Sequence, residues 1–344
     1  MKEKPNLIAN KSILITGAAG SIGEALSLYL AEKVPSLLVL VDIAESPLFL
    51  LSLKLNQLFP KIKINTIIAN VADESSMINV FEKNTINIVF HAAAYKHVGL
   101  VEDNPCPAVI SNIRGTQVVV DLCIKHSVEK AIFYSTDKAV NPISVMGATK
   151  KIAEKYILSQ STDRITQFYV LRLCNVYNSK GSVVPIFREN VRNGDALILS
   201  DPLVERMFVQ MKTVLSVTYD VMHNELGGNV FFTTDYERLK IRDLALKIAH
   251  EEGANLGDRI KIGELTNGER LYEKLFEEQE EIIDSKVKMV KRINKKKNVC
   301  IDLDLIAKCI EHARDSNERE TVILLKKILP DYRSQNSQWA ILDR

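Results

Sequence analysis

The chain has 344 residues, 46% of them hydrophobic and 26% charged, with a formal net charge of +2. That length fits two domains at roughly 150 residues each, and the near-neutral balance gives no global field to draw in nucleic acid or membrane. The longest apolar runs, Ser36–Val41 and Leu48–Leu53, fall far short of the ~20 residues of a bilayer span.

MKEKPNLIANK at the start has no apolar segment behind its basic residues, so secretion is not expected. Five scattered cysteines form no C-x-x-C pair and six histidines form no H-E-x-x-H pair. A reducing cytoplasm is the expected location, and no metal centre is expected.

Ser12–Thr16 (SILIT) is a short apolar run, followed at once by GAAGSIG (Gly17–Gly23) and then by apolar residues at helical spacing. Ser36–Val41 is the next apolar run and ends at Asp42. Strand, glycine turn, helix, strand and acid make a βαβ unit. Further strands are predicted at Ile64–Ala69, Ile86–Ala92, Ala131–Ser135 and Phe168–Leu173. Helices are predicted between them at Ser46–Leu58, Ser75–Lys83, Pro107–His126 and Thr149–Ser159. This alternation predicts an α/β fold with a Rossmann-type, doubly wound parallel sheet.

Beyond Asn175 the pattern predicts a helix ending near Asn193, a strand at Asn229–Thr233 and a helix at Ile241–Glu251. A strand, a loop and an amphipathic helix follow within IKIGELTNGERLYEKLF, and Leu303–Leu329 reads as one more amphipathic helix. The charged stretch Lys286–Lys297 reads as a solvated linker or edge strand, since no aromatics interleave for nucleic acid. The expected organisation is a dinucleotide-binding domain over 1–175, to which a segment near 209–235 returns. A smaller C-terminal α/β substrate lobe over 176–294 and a helical tail over 295–344 complete it.

Gly17, Gly20 and Gly23 between a strand and a helix suit a pyrophosphate at the helix start, with Ser21 and Ile22 in the same turn. Asp42, at the end of the next strand, can accept both ribose hydroxyls of adenosine and would repel a 2′-phosphate, which favours NAD over NADP. Asn70 and Asp73 close another strand, and Asp73 is expected to reach the adenine amino group. Ala92, Ala93 and Ala94 close a further one, where small residues let backbone pass close to the cofactor.

HAAAYKHV (His91–Val98), STDKAVNPISVMGATKKIAE (Ser135–Glu154) and GSVVPIF (Gly181–Phe187) carry a more specific resemblance. Together with GERLYEKLF (Gly268–Phe276) and ILPDY (Ile328–Tyr332), they resemble the extended short-chain dehydrogenase/reductases that act as bacterial nucleotide-sugar 4,6-dehydratases. The nearest resemblance is to the branch, often membrane-anchored, in which methionine replaces the catalytic tyrosine. Here Met146 and Lys150 stand four apart on one helix face. A thioether has no proton to exchange, so Met146 cannot be a base.

The resemblance implies a lyase using NAD on a UDP-N-acetylhexosamine, most simply UDP-GlcNAc, for surface polysaccharide or lipopolysaccharide. It implies that Thr136 binds the C4 hydroxyl, Asp137 is the acid for the departing water, and Lys138 is the C5 base with a depressed pKa. Lys150 would hold the nicotinamide ribose. Lys96, His97, Asn175, Ser182, Val183, Arg206 and Glu269 would contact the nucleotide sugar, with Arg206 as a diphosphate clamp. A homo-oligomer is expected, its paired helices being Pro107–His126 and Thr149–Ser159, although Leu122, Ile152, Tyr156 and Ile157 there also read as core.

Departures cluster on the substrate side. Glu205 stands beside Arg206, Thr266-Asn267 replaces an expected phosphate-binding arginine and its neighbour, and Cys174 stands where glycine is usual. A 4-epimerase on the same scaffold and a nucleotide-binding regulatory protein without catalysis are the alternatives. The first needs no acid–base pair at C5 and C6, and the second is favoured by Met146 but not by the Thr136-Asp137-Lys138-Lys150 set.

Overall fold

The computed structural model describes residues 6–161, 165–255, 259–294 and 299–343, so Lys295–Lys297 and the first basic residues lie outside the described part. In chain order the strands are β1 Ser12–Thr16, β2 Leu37–Asp42, β3 Lys63–Ile68, β4 Ile88–His91, β5 Lys130–Thr136, β6 Gln167–Leu173 and β7 Asn175–Val176. They continue with β8 Leu197–Leu199, β9 Glu205–Val209, β10 Asn229–Thr233, β11 Glu237–Lys240, β12 Ile260–Ile262, β13 Ile282–Asp284 and β14 Val290–Ile293. The helices are α1 Ser21–Ala31, α2 Glu45–Leu58, α3 Glu74–Lys83, α4 Val98–Asp103, α5 Pro105–Ala108 and α6 Gly115–Lys125. After these come α7 Val145–Ser159, α8 Val183–Asn193, α9 Met211–Asn224, α10 Ile241–Glu251, α11 Leu303–Arg314 and α12 Glu318–Ile328.

The main sheet has nine strands in the order β13-β14-β10-β6-β5-β4-β1-β2-β3. From β3 to β10 the pairings are parallel, and β14 and β13 add antiparallel at one edge. Strands β1, β2, β4, β5 and β6 are buried almost end to end rather than alternately, because helices cover both faces. The chain runs outward from β1 to β3 and then returns to build from β4 the other way. The crevice therefore opens where β1 and β4 lie side by side, between Gly17 and Ala92.

Strands β7, β9 and β11 form a small sheet, and β8 pairs with β12. With α8 and α10 they enclose a separate core of Val184, Phe187, Leu197, Phe208, Leu244 and Ile248. Strands β13 and β14, which the sequence reading assigns to this lobe, join the main sheet instead.

Two further expectations are corrected. The helix expected over LYEKLF is an extended loop, in which Glu273 and Leu275 are buried while Tyr272, Lys274 and Phe276 are exposed. That period of two is a strand-like burial, and the helical Leu271/Leu275 spacing is coincidental. The helix expected over Leu303–Leu329 breaks into α11 and α12 at Ser316, whose φ is +57°, and Asn317 caps α12 by accepting from the Glu320 N–H.

The helices offered for pairing pack against the rest of their own chain. The expected tail docks on the first domain, where Ile306, Cys309 and Leu325 share a core with Val109, Val145 and Ile152. Leu122, Ile152, Tyr156 and Ile157 are all buried inside the chain itself. Among the described residues no helix is long and apolar enough to cross a membrane.

Candidate active site

Two adjoining cavities of about 540 and 480 Å³ follow the crevice and meet along Gly17, Gly20 and Ala92. Backbone approach at the glycine turn is real. A Cβ on Gly17, whose φ is +63°, would lie 2.6 Å from the Ala93 nitrogen, and one on Gly23 would lie 2.1 Å from the Gly17 oxygen. Only glycine satisfies both positions.

The first cavity is lined by Asp42, Asn70 and Ala92–Ala94. Asp42 Oδ2 accepts from the Ala19 N–H and Oδ1 from the Ala44 N–H, both at 2.9 Å, so the carboxylate is held by backbone at the cavity wall with lone pairs to spare. Asp73 lines neither cavity. Its carboxylate caps α3, accepting from the N–H and hydroxyl groups of Ser75 and Ser76, and those bonds hold it below the usual carboxylate range. Asp73 thus serves as a helix cap, and Asn70 is the polar residue of that strand end on the cavity wall.

Ser21, Ile22, Lys96, His97, Thr136, Lys138, Met146, Lys150, Asn175 and Ser182 line the second cavity. Met146 and Lys150 share a face of α7, which Ser144 caps by accepting from the Gly147 N–H. Lys150 Nζ donates to the Tyr134 carbonyl at 2.7 Å, and burial, opposed by Glu154, pulls its pKa down to about 8. Burial also lowers Lys96, whose Nζ donates to the Lys180 carbonyl at 2.7 Å, and burial with Lys96 nearby lowers His97.

Thr136 ends β5, and its hydroxyl donates to Asp137 Oδ1 at 2.9 Å. Lys138 Nζ donates to the same oxygen at 3.0 Å and to Asn175 Oδ1 at 3.4 Å, and lies 3.7 Å from Glu273 Oε1. Asp137 is wholly buried and lines neither cavity, so it meets the cleft only through Thr136 and Lys138.

The depressed pKa expected of Lys138 is corrected. Burial alone would lower it, but the Asp137 and Glu273 carboxylates outweigh burial and hold it above the ordinary lysine value. Of the lysines on this cavity wall, Lys150 and Lys96 are the ones that burial pulls down.

Arg206 and Glu269 also stand elsewhere than expected. Arg206 Nη2 pairs with Glu269 Oε1 at 2.7 Å, while Nη1 donates to the Glu205 and Leu271 carbonyls. Glu269 Oε2 accepts from the Thr266 N–H and hydroxyl. Both residues, like Val183, line neither cavity, and the Glu205 carboxylate pairs with Arg238 at 3.2 Å rather than with Arg206.

Three residues escaped the sequence reading. Glu273 sits in the motif GERLYEKLF, but the helix assigned there hid its inward side. Asn112 lies in a π-helical turn over Val109–Arg114, where it accepts from the Tyr95 N–H at 2.8 Å and donates to the Tyr95 carbonyl at 3.0 Å. It also donates to the Thr149 hydroxyl at 3.0 Å, joining the alanine segment to α7. Lys180 lays its backbone N–H on Ser21 Oγ and its ammonium on the Ala19 carbonyl, tying the 179–182 loop over the glycine turn. No local signal marks Asn112 or Lys180, since each works through a partner distant in sequence.

A family described as "Polysaccharide biosynthesis protein" matches residues 13–295. An uncharacterised membrane protein of Methanocaldococcus jannaschii is 36% identical over 80% of this chain and 83% of its own length. A UDP-N-acetylglucosamine 4,6-dehydratase (inverting) of Campylobacter jejuni is 34% identical over 76% of each chain. Among solved structures, Pen from Bacillus thuringiensis superposes with a TM-score of 0.78 at 27% identity, over 83% of this chain and 90% of that one. The chain spans about half the length of two further relatives, EpsC of Bacillus subtilis and CapD of Staphylococcus aureus. With the matched family covering the second cavity, most of the first and most of the fold, the chain belongs to the polysaccharide-biosynthesis family of nucleotide-sugar dehydratases and epimerases, and is an enzyme of that family.

Proposed function

We propose that the chain is an NAD-dependent 4,6-dehydratase of a UDP-N-acetylhexosamine, most simply UDP-GlcNAc, forming a 4-keto-6-deoxy sugar for surface glycan. The observation that carries this reading is the Thr136–Asp137–Lys138 group, where an acid and a base of opposite charge stand at one sheet edge beside Lys150. Adjacent acid and base suit elimination across neighbouring carbons.

The cleft fits a dinucleotide by its own geometry: a glycine turn closed to any Cβ, a backbone-held carboxylate at Asp42 and two joined cavities. NAD, when bound, supplies a hydride acceptor for C4 and a donor for C6. Asp42 would hold the adenosine ribose, and Lys150, next to Met146, the nicotinamide ribose. Thr136 binds the C4 hydroxyl. Lys138 removes the C5 proton once its own proton has left. As hydride leaves C4, the C4 hydroxyl proton passes through the Thr136 hydroxyl to the Asp137 carboxylate bonded to it, and Asp137 gives that proton back by the same route to the departing C6 hydroxyl, which leaves as water. Lys96, His97, Asn175 and Ser182, which line the same cavity, would contact the nucleotide sugar. Arg206 reaches a diphosphate only by leaving Glu269. Cys106, Cys123, Cys174 and Cys309 are free and buried, which suits a reducing cytoplasm.

A 4-epimerase would use the same cofactor edge but has no task for an acid–base pair at C5 and C6. The test is turnover of UDP-GlcNAc by the purified protein and its Asp137→Asn and Lys138→Ala variants. Each variant should lose at least about 10²-fold in kcat while staying folded. Undiminished turnover in both would remove the assignment.

A further inference from the structure

Three ionisable side chains meet behind the cleft wall where the motif supplies two. Lys138 Nζ lies between Asp137 Oδ1 at 3.0 Å and Glu273 Oε1 at 3.7 Å. The Glu273 side chain is 4% exposed and that of Asp137 0%. One oxygen of each carboxylate, Asp137 Oδ2 and Glu273 Oε2, is buried without a hydrogen-bond partner. Arg270 Nε is 3.4 Å from Glu273 Oε2 as an ion-pair neighbour. Arg206 and the Cys174 thiol are the other charged or titratable groups that act on the cluster.

An ammonium cannot remove a proton from carbon, so Lys138 must first lose one. Solvent is a poor acceptor for it, because the two carboxylates stabilise the ammonium. Glu273 has the lone pairs to take it. Burial pushes its carboxyl up, with Asp137 adding to the rise while Lys138, Arg270 and Arg206 oppose it. We propose that Glu273 takes the proton of the Lys138 ammonium and so releases the free amine that acts at C5.

One N–H bond breaks and one O–H bond forms, and an ion pair becomes a neutral pair with no change in the cluster's net charge. Drying of the cleft by a seated substrate favours that collapse, since charged forms lose most on desolvation. Lys138 then takes the C5 proton, becoming an ammonium whose other two hydrogens come from solvent, and that ammonium delivers one of its protons to C5 at the end of the cycle. Glu273 gives its own proton back to the amine when product leaves. Glu273 lines neither cavity and is a positioning residue that acts through Lys138.

This inference rests on the dehydratase reading, and its test separates the two. Infrared spectroscopy of the full chain should show a buried protonated carboxyl that grows on adding UDP-GlcNAc and is absent from Glu273→Gln. In turnover, Glu273→Gln should lose about 10²-fold in kcat near neutral pH with KM little changed, and should recover as pH rises and Lys138 loses its proton to solvent. Glu273→Asp should retain part of the wild-type rate. An active wild type with an identical pH–rate profile in Glu273→Gln overturns the proposal, as does an infrared signal that the substitution leaves in place. If the wild type makes no product, the dehydratase reading falls, and the infrared signal alone decides whether Glu273 holds the proton.

Discussion

Lys150 Nζ and the Tyr134 carbonyl, 2.7 Å apart, tie the helix that carries Met146 to the strand that ends in Thr136. With its pKa pulled down to about 8 by burial, Lys150 is charged below that pH and neutral above it. Retention of NAD should therefore weaken as pH rises through about 8. Lys150→Arg, which keeps its charge, should remove that dependence. Equilibrium dialysis across this range is the check, and retention that does not change with pH would count against the role given to Lys150.

Gly17→Ala tests the cofactor edge. The new methyl group would sit 2.6 Å from the Ala93 nitrogen, on a backbone with φ of +63°. Strain of about 1–3 kcal/mol is expected at such a position, together with loss of the room a pyrophosphate needs. The prediction is a lower Tm and no stabilisation of the variant by added NAD, measured by thermal unfolding with and without the nucleotide.

The glycine turn shows how far the sequence could be read. Its spacing, the strands around it and the Thr136–Lys138 string are local patterns, and each sits where periodicity puts it. Partners across the fold left no such mark. Arg206 looked free because Glu269 is 63 residues away in the chain. Lys138 looked like a depressed base because the buried Glu273 beside it lies in a segment whose leucine spacing imitates a helix. The helix cap that Asp73 makes rests on the two serines just after it, a pairing the strand-end reading passed over. The tail over 295–344 looked separable, since the apolar faces of α11 and α12 gave no hint of what they cover.

Met146→Leu should leave turnover within about threefold of wild type, because the thioether packs 3% exposed on the cleft wall and exchanges no proton. A loss beyond about 10²-fold, with fold and NAD binding intact, would give the sulfur a part in the chemistry. Steady-state kinetics with a Tm control settles it.

Beneath the site, Arg172 and Glu154 form a buried two-point pair, Nη2–Oε2 at 2.7 Å and Nε–Oε1 at 3.1 Å. Ser135 donates its hydroxyl to the same Glu154, so the pair braces the strand leading to Thr136. Glu154→Leu would leave the guanidinium buried with only Glu280 as an acidic partner, and should cost about 3–5 kcal/mol in urea unfolding.

His91 should shape the acid limb of stability. Burial, with Lys150 adding, drives its pKa down to about 3, while the unfolded chain titrates near 6.5. Between those values the unfolded state binds a proton that the native state refuses, so stability falls as pH drops from about 6.5 towards 3. His91→Asn should flatten that limb, as read from urea midpoints at a series of pH values.

The most direct test of the whole account is mass spectrometry of UDP-GlcNAc after incubation with the NAD-loaded protein in deuterated water. Loss of one water together with gain of one carbon-bound deuterium is the predicted result, because the C5 proton leaves and is replaced from the enzyme during the cycle. An unchanged mass with conversion to the C4 epimer would contradict the account and assign the Thr136–Asp137–Lys138 group to a different reaction.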